Sequence, residues 1–77
     1  MYFVVCHNDI VIYVSRSLAL ALRCGLEFLE KNDANISKLE ENRNDSWIEL
    51  SAPIDDYSSW IRVKINDLSA IRYSGML

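Results

Sequence analysis

The sequence predicts an α+β domain with element order β-β-α-β-β-β, in which one antiparallel sheet carries one long helix on one face. Three observations lead to this prediction. Apolar and alternating segments near both ends of the chain have the period of strands, and a Leu- and Ala-rich segment between them has the period of a helix. The 77 residues, of which 51% are hydrophobic, suffice for one small domain over residues 1–77.

The first two strands are expected to form a hairpin. Residues 2–6 and 10–14 are apolar, and Asn8-Asp9 between them tolerates the positive φ of a two-residue turn. Pairing His7 with Ile10 gives one face composed of Phe3, Val5, Ile12 and Val14. The other face then holds Tyr2, Val4, Cys6, Val11 and Tyr13. Because both faces are apolar, we expect both strands to lie in the centre of the sheet.

A helix is predicted over residues 15–31. Ser15 or Ser17 can cap its N-terminus, and Asn32 can close it in the left-handed conformation. Winding the segment at 3.6 residues per turn gives a buried stripe of Leu18, Ala21, Leu22, Gly25 and Leu29, flanked by Leu26 and Phe28. Gly25 lies within this stripe, where the missing side chain permits close approach to the sheet.

Residues 32–46 are polar and have two interpretations. Ser37 and Glu40 have the spacing of a capping box, and Ile36 with Leu39 could anchor one short helical turn. A loop without regular structure is equally compatible with the sequence.

A second hairpin is predicted from residues 47–51 and 60–65, which both alternate with period two. With Glu49 opposite Arg62, one face is aliphatic and consists of Ile48, Leu50, Ile61 and Val63. The opposite face then carries Trp47, Glu49, Trp60, Arg62 and Lys64. Both indoles therefore lie among charges instead of in the aliphatic layer.

The C-terminal part of the chain is expected to add one more strand over residues 68–73. Asn66-Asp67 is typical of a tight turn that would lead into it. Alternatively, Asn66 could cap a brief helix over residues 67–70.

One helix can cover only one face of this sheet, so the other face is expected to need a cover of its own. That face would show Tyr2, Val4, Val11, Tyr13, Trp47 and Trp60. Large apolar side chains gain about 1.5–3 kcal/mol each on burial, so leaving them in water is costly. Residues 32–46, a second copy of the chain or a different protein could each provide the cover.

The net charge of −3 hides a segregation of charge. Residues 27–56 hold nine acidic and three basic residues, whereas the remainder is positive overall. Acidic polar loops would account for this asymmetry. The functional interpretation is that Glu40, Glu41, Asp55 and Asp56 complement a basic surface on a partner protein.

The sequence favours no catalytic, cofactor or metal site. It has no phosphate-binding glycine motif, and its two glycines cannot build one. Cys6 and His7 are adjacent in a strand and should point to opposite faces, and Asp55-Asp56 lacks companions at the spacing of a calcium loop. We therefore expect no enzyme, and we expect Cys6 and Cys24 to be reduced thiols in a cytoplasmic protein without a membrane span.

The sequence as a whole favours a non-enzymatic protein-binding module, expected to be a homodimer. The predicted contact residues are Trp47, Glu49, Trp60, Arg62, Lys64, Tyr13, Glu40, Glu41, Asp55 and Asp56. In size class the chain resembles small phage or mobile-element proteins that occlude a host protein, such as anti-CRISPR proteins, and also immunity proteins that neutralise toxins. An alternative is a single-stranded nucleic-acid-binding domain, in which bases stack on Trp60 while Arg62 and Lys64 hold phosphate.

Overall fold

The computed structural model describes residues 2–55 and 59–67. Within these residues the chain forms five strands, one α-helix and one 3₁₀ turn. In chain order they are β1 (Phe3–His7), β2 (Ile10–Ser15), α1 (Leu18–Lys31), the 3₁₀ turn (Ile36–Lys38), β3 (Glu40–Arg43), β4 (Trp47–Ile54) and β5 (Ser59–Asp67). The strands make one antiparallel sheet in the order β2-β1-β5-β4-β3, and α1 packs on one of its faces.

The predicted fold class and the order β-β-α-β-β-β are therefore confirmed, although one of the strands is different. β3 lies in the polar segment for which no strand was predicted. The strand predicted over residues 68–73 lies outside the described residues. Asn66 and Asp67 lie within β5 and not in the predicted tight turn, and residues 68–70 of the alternative helix also lie outside the described residues.

The helix begins and ends close to the predicted residues. The Ser17 side chain accepts a hydrogen bond from the Leu20 amide and caps the N-terminus. At the C-terminus, Asn32 caps with φ −101°, and the left-handed conformation falls on Asp33 with φ 63°. The prediction of a left-handed Asn32 was wrong by one residue, because Asn32 uses its side-chain amide to donate to the Phe28 carbonyl.

The core lies between α1 and the sheet. Its buried residues are Val5, Ala21, Leu29, Ile48, Leu50, Val63 and Ile65. Gly25 confirms the predicted close approach: a Cβ at this position would lie 3.3 Å from Leu50 Cδ1 and 3.4 Å from Val63 Cγ1. The helix-facing side of the sheet is thus the aliphatic face that the alternation predicts.

The first hairpin has the predicted turn, and Phe3, Val5 and Ile12 lie on the core side as predicted, but Tyr13 and Val14 do not lie on their predicted faces. His7 pairs with Ile10 as expected, and Asn8 and Asp9 have positive φ. A β-bulge then shifts the register, so that Val5 pairs with Tyr13 and Val4 with Val14. Because directly opposite residues share a face, the bulge moves Val14 away from the helix and Tyr13 toward it.

The position of β2 in the sheet also differs from the prediction. β1 is central, between β2 and β5, but β2 is an edge strand. Apolar residues on both faces do not require a central position, and here Ile10, Val11 and Val14 remain exposed.

The second hairpin is shifted by two residues from the predicted register. Glu49 pairs with Lys64, Ile48 with Ile65 and Leu50 with Val63. A shift of two preserves which side chains share a face, because side chains alternate with period two. The predicted faces are therefore correct, although the predicted partners are wrong.

Residues 32–46 extend the core and the sheet instead of covering the second face. Asn35, and not Ser37, caps the 3₁₀ turn. Ala34, Ile36 and Leu39 pack against the core, and β3 then pairs with β4. The Asn35 amide also donates to the Pro53 carbonyl at 2.8 Å. The first residue of β3, Glu40, pairs with Ser51, so β3 does not reach Pro53 and the missing N–H of this proline interrupts no β3–β4 pairing.

Candidate functional site

The candidate site is the outer face, which we define as the sheet face opposite α1. The register places on it Val4, Cys6, Val11, Val14, Glu40, Asn42, Trp47, Glu49, Ser51, Pro53, Trp60, Arg62, Lys64 and Asn66. Among the described residues, no helix or strand packs across this face. The side chains of the central strand β5 are therefore accessible, and Trp60, Arg62 and Lys64 are all exposed.

Trp47 lies at one end of the outer face beneath a lysine. The Lys64 ammonium is 4.8 Å from the centroid of the Trp47 ring, which is the geometry of a cation–π contact. Trp47 is half-buried, and its cross-strand partner is Asn66. Lys64 itself lies between Cys6 on β1 and Glu49 on β4.

Trp60 lies at the other end of the outer face, and its indole is 36% exposed. It pairs with Pro53, whose ring is fully buried. Pro53 is six positions along β4 from Trp47, which corresponds to about 20 Å. The two indoles are therefore separate contact points and do not form one aromatic platform.

The middle of the outer face is a polar depression of about 450 Å³. Its lining consists of Cys6, Asn8, Asp9, Glu49, Arg62, Lys64 and Asn66. The register moves Glu49 away from Arg62, which pairs with Ser51 instead. Within residues 2–55 and 59–67, the ion pair found is Arg43–Glu41, so neither Arg62 nor Lys64 is neutralised by an ion pair there.

The predicted acidic contact residues do not form one cluster. Glu40 pairs with Ser51 and so lies on the outer face with Glu49. Glu41 pairs with Leu50, on the helix side, and its carboxylate is held by Arg43. Asp55 is exposed in the turn after β4, with φ 53°, and Asp56 lies outside the described residues.

Tyr13 was wrongly assigned to the outer face. It pairs with Val5, a core residue, so the bulge turns it toward the helix side of the sheet. Its place in the predicted contact surface is taken by Val14, which is 50% exposed and pairs with Val4. No feature of the sequence indicates the bulge, so the exchange could not have been predicted.

Cys6 and His7 point to opposite faces, as predicted. The His7 ring packs on Phe28 of α1, with 4.8 Å between the ring centroids. Its Nδ1 lies 2.9 Å from the Arg62 carbonyl, which can only accept, so Nδ1 carries the proton and Nε2 accepts from the Asn8 amide. The His7 ring thus contacts the Arg62 carbonyl of the sheet and Phe28 of α1, on the face opposite the Cys6 thiol.

Both cysteines are free thiols, as predicted, and neither is activated. Burial, together with the nearby Asp9 carboxylate, raises the pKa of Cys6 above its ordinary value, against smaller opposing effects of Asn66 and Lys64. Burial and Glu27 likewise raise the pKa of Cys24. Since the thiolate is the reactive form, both groups are poor nucleophiles at neutral pH.

No family model, curated protein or solved structure matches this chain. Among the described residues, no three Cys, His, Asp or Glu side chains are grouped as metal ligands would be. In the same part of the chain, no helix combines the length and apolar character needed to cross a bilayer. The candidate site therefore has to be interpreted from its own geometry.

Proposed function

We propose that this chain is a non-catalytic protein-binding module that inhibits or adapts another protein by occupying its surface through the outer face. An immunity protein that neutralises a toxin would be one form of such an inhibitor. The observation that supports the proposal most strongly is the exposure of Trp60, Arg62 and Lys64 together on a sheet face that no described element covers.

The residue types of the outer face suit protein recognition. Trp and Arg are enriched among the residues that dominate binding energy at protein interfaces. Trp60 lies opposite the buried Pro53, so the rigid proline ring restricts the positions that the indole can take before a partner binds. A side chain held in place loses little conformational entropy on binding, which favours affinity.

The charges of the outer face suit a polar partner surface that is basic in part. Arg62 and Lys64 form a positive row on β5, and Glu49 and Glu40 lie beside it on β4 and β3. Asp55 adds negative charge at the end of β4. Mixed rows of this kind give orientation and association rate more than affinity, since exposed charges are screened by salt.

Site-directed photo-crosslinking in an extract of the native host tests this proposal. A photoreactive amino acid replaces Arg62 on the outer face in one variant, and replaces Glu30 on the exposed side of α1 in a matched control. We expect a discrete crosslinked partner from position 62 that is lost when Trp60→Ala is added. Crosslinks that form equally well from position 30, or that survive Trp60→Ala, would contradict the proposal.

One observation favours a second candidate, the binding of single-stranded nucleic acid. The register moves Glu49 from Arg62 to Lys64, so among the described residues Arg62 has no carboxylate directly opposite it and lies exposed on the same face as the two indoles. The net charge of −3 and the neighbouring Glu40 and Glu49 oppose phosphate binding.

Titration of a labelled single-stranded oligonucleotide at low salt separates the two candidates. Salt-sensitive binding that Trp60→Ala abolishes would favour the nucleic-acid function. If no binding occurs at low salt, the second candidate is removed and the protein-binding proposal stands.

A further inference from the structure

Within residues 2–55 and 59–67, β2 is an edge strand whose side away from β1 pairs with no other strand. Its six residues, Ile10–Ser15, include no charged residue and no proline. Ile10 is 66% exposed, Val11 55% and Val14 50%. Edge strands are usually protected by charges, proline or short length, because an exposed apolar edge pairs readily with another strand.

The backbone of β2 also offers pairing groups on its open side. His7 and Ile10 close a two-residue turn, and in such a hairpin the backbone groups of the closing pair face each other. Alternation then directs the N–H and C=O of Val11 away from β1. The bulge places both Ile12 and Tyr13 opposite Val5, so the next residue to direct its backbone groups outward is Val14.

β2 is complementary to itself when two copies run antiparallel. Val11 and Val14, whose backbone groups point outward, are three positions apart. The outward groups of both copies therefore face each other only if Val11 of each copy lies opposite Val14 of the other. In that alignment the bulged residues Ile12 and Tyr13 of one copy lie directly opposite Tyr13 and Ile12 of the other. Asp9 of one copy then comes level with Arg16 of the other, so a negative and a positive residue lie at each end of an uncharged strand. Within its own chain the Arg16 guanidinium donates to the Tyr2 hydroxyl.

We propose that two copies of this chain associate by antiparallel pairing of β2 with β2, with Val11 of each copy opposite Val14 of the other. The pairing has a two-fold axis perpendicular to the sheet, and it joins the five described strands of each copy into one continuous sheet with both α1 helices on one side. Both outer faces then lie on the opposite side. The assembly therefore presents two copies of the candidate site in the same direction, which allows bivalent binding.

The predicted dimer is weak, because a single edge strand buries less than the roughly 1,200 Å² of a standard stable interface. Self-association should therefore be followed by sedimentation equilibrium over about 1–500 μM. We expect the mass to rise from one chain to two across this range. A mass of one chain at every concentration would overturn the proposal.

Val14→Pro tests the hydrogen bonding of the edge without disturbing the hairpin. Proline removes an N–H that points to the open side, which an edge strand tolerates. We expect the dissociation constant to rise at least about tenfold, since one backbone hydrogen bond is lost from each copy. Leu20→Ala is the matched control, because Leu20 is exposed and apolar but lies on α1. If Leu20→Ala weakens the dimer and Val14→Pro does not, the assignment to β2 is wrong.

Disulfide trapping tests the register in a background of Cys6→Ser and Cys24→Ser. When one copy carries Val11→Cys and the other Val14→Cys, their Cα atoms should lie about 5.5 Å apart, within reach of a disulfide. We expect the mixed pair to crosslink faster than either variant with itself. Faster crosslinking of Val11→Cys with itself would overturn the register. The proposed function remains separately testable, because crosslinking from position 62 uses the outer face and not the edge.

Discussion

The two edges of the sheet are built in opposite ways. β3 has four residues, Glu40–Arg43, all of them polar or charged and all exposed, and it carries the Arg43–Glu41 ion pair. β2 has six residues and no charge. A short, charged edge strand pairs poorly with a strand of another chain, whereas an uncharged apolar edge strand pairs readily. The composition of the two edges therefore favours β2, and not β3, as the edge that pairs in the proposed dimer.

Both edges depend on the packing of the central strands on α1, so the largest effect is expected in the core. Leu50 is almost fully buried on β4, where it lies against Gly25 and opposite Val63. Leu50→Ala should lower the free energy of unfolding by about 2–5 kcal/mol, because it leaves a cavity between helix and sheet. Chemical denaturation followed by circular dichroism measures the loss.

The neighbouring Glu49 provides the control for this prediction, because it lies on the same strand but on the outer face. Glu49→Ala should change the free energy of unfolding by no more than about 0.5 kcal/mol. Equal losses in the two variants would mean that the helix side of the sheet is not the core.

The second prediction reduces the difference in charge between the two edge strands by removing charges from β3. Glu41→Thr combined with Arg43→Val removes the ion pair and both charges. We expect association beyond the dimer, because β3 would then keep a single charge, on Glu40, and the outer edges of each dimer would be less protected. Sedimentation velocity should show larger species whose amount increases with concentration.

The control for the converted edge removes two charges from the helix surface with Glu27→Gln and Lys31→Gln. This variant should remain limited to the dimer, since no strand edge changes. Larger species in both variants would show that lost surface charge, and not the exposed edge, drives the assembly.

The third prediction compares the two ends of the outer face. Trp60 is exposed, whereas Trp47 is half-buried beneath Lys64. With Trp47→Phe or Trp60→Phe leaving one indole each, acrylamide should quench Trp60 more strongly than Trp47. Adding Lys64→Ala should increase the quenching of Trp47 only. Equal quenching of the two indoles would contradict the described arrangement.

The smallest expected effect concerns the Cys6 thiol. Burial raises its pKa in the folded chain, so folding favours the protonated thiol. The stabilisation is fully present below the pKa of the unfolded thiol, near 9.0, and is lost as the pH rises through the folded pKa. Cys6→Ser should therefore lose less stability than the native chain between neutral and strongly alkaline pH. A larger loss in Cys6→Ser would reverse the sign of the inferred shift.

The sequence predicts the elements that local periodicity specifies. The helix stripe with Gly25, the turn at Asn8-Asp9 and the division of the second hairpin into two faces all depend on residues close in the chain. The register of that hairpin and the bulge in β2 depend on partners across the sheet, and for this reason Tyr13 and Val14 exchanged faces. The strand at Glu40–Arg43 could not be predicted, because its four polar residues have no apolar alternation.

The order of strands in the sheet was the main property that the sequence did not indicate. β2 reads as a central strand from its composition, yet it lies at an edge. An uncharged, apolar strand is typical of strands that have a neighbour on both sides. The composition of β2 therefore favours a further strand at its open edge.

Amide hydrogen exchange measured by NMR at low and at high protein concentration reports on both edges of the sheet in one experiment, and it distinguishes pairing through β2 from pairing through β3. We predict that the amides of Val11 and Val14 exchange more slowly at high concentration, while those of β3 exchange at the same rate throughout. If the β2 amides exchange at a rate independent of concentration, or if β3 is the edge that becomes protected, two copies do not pair through β2.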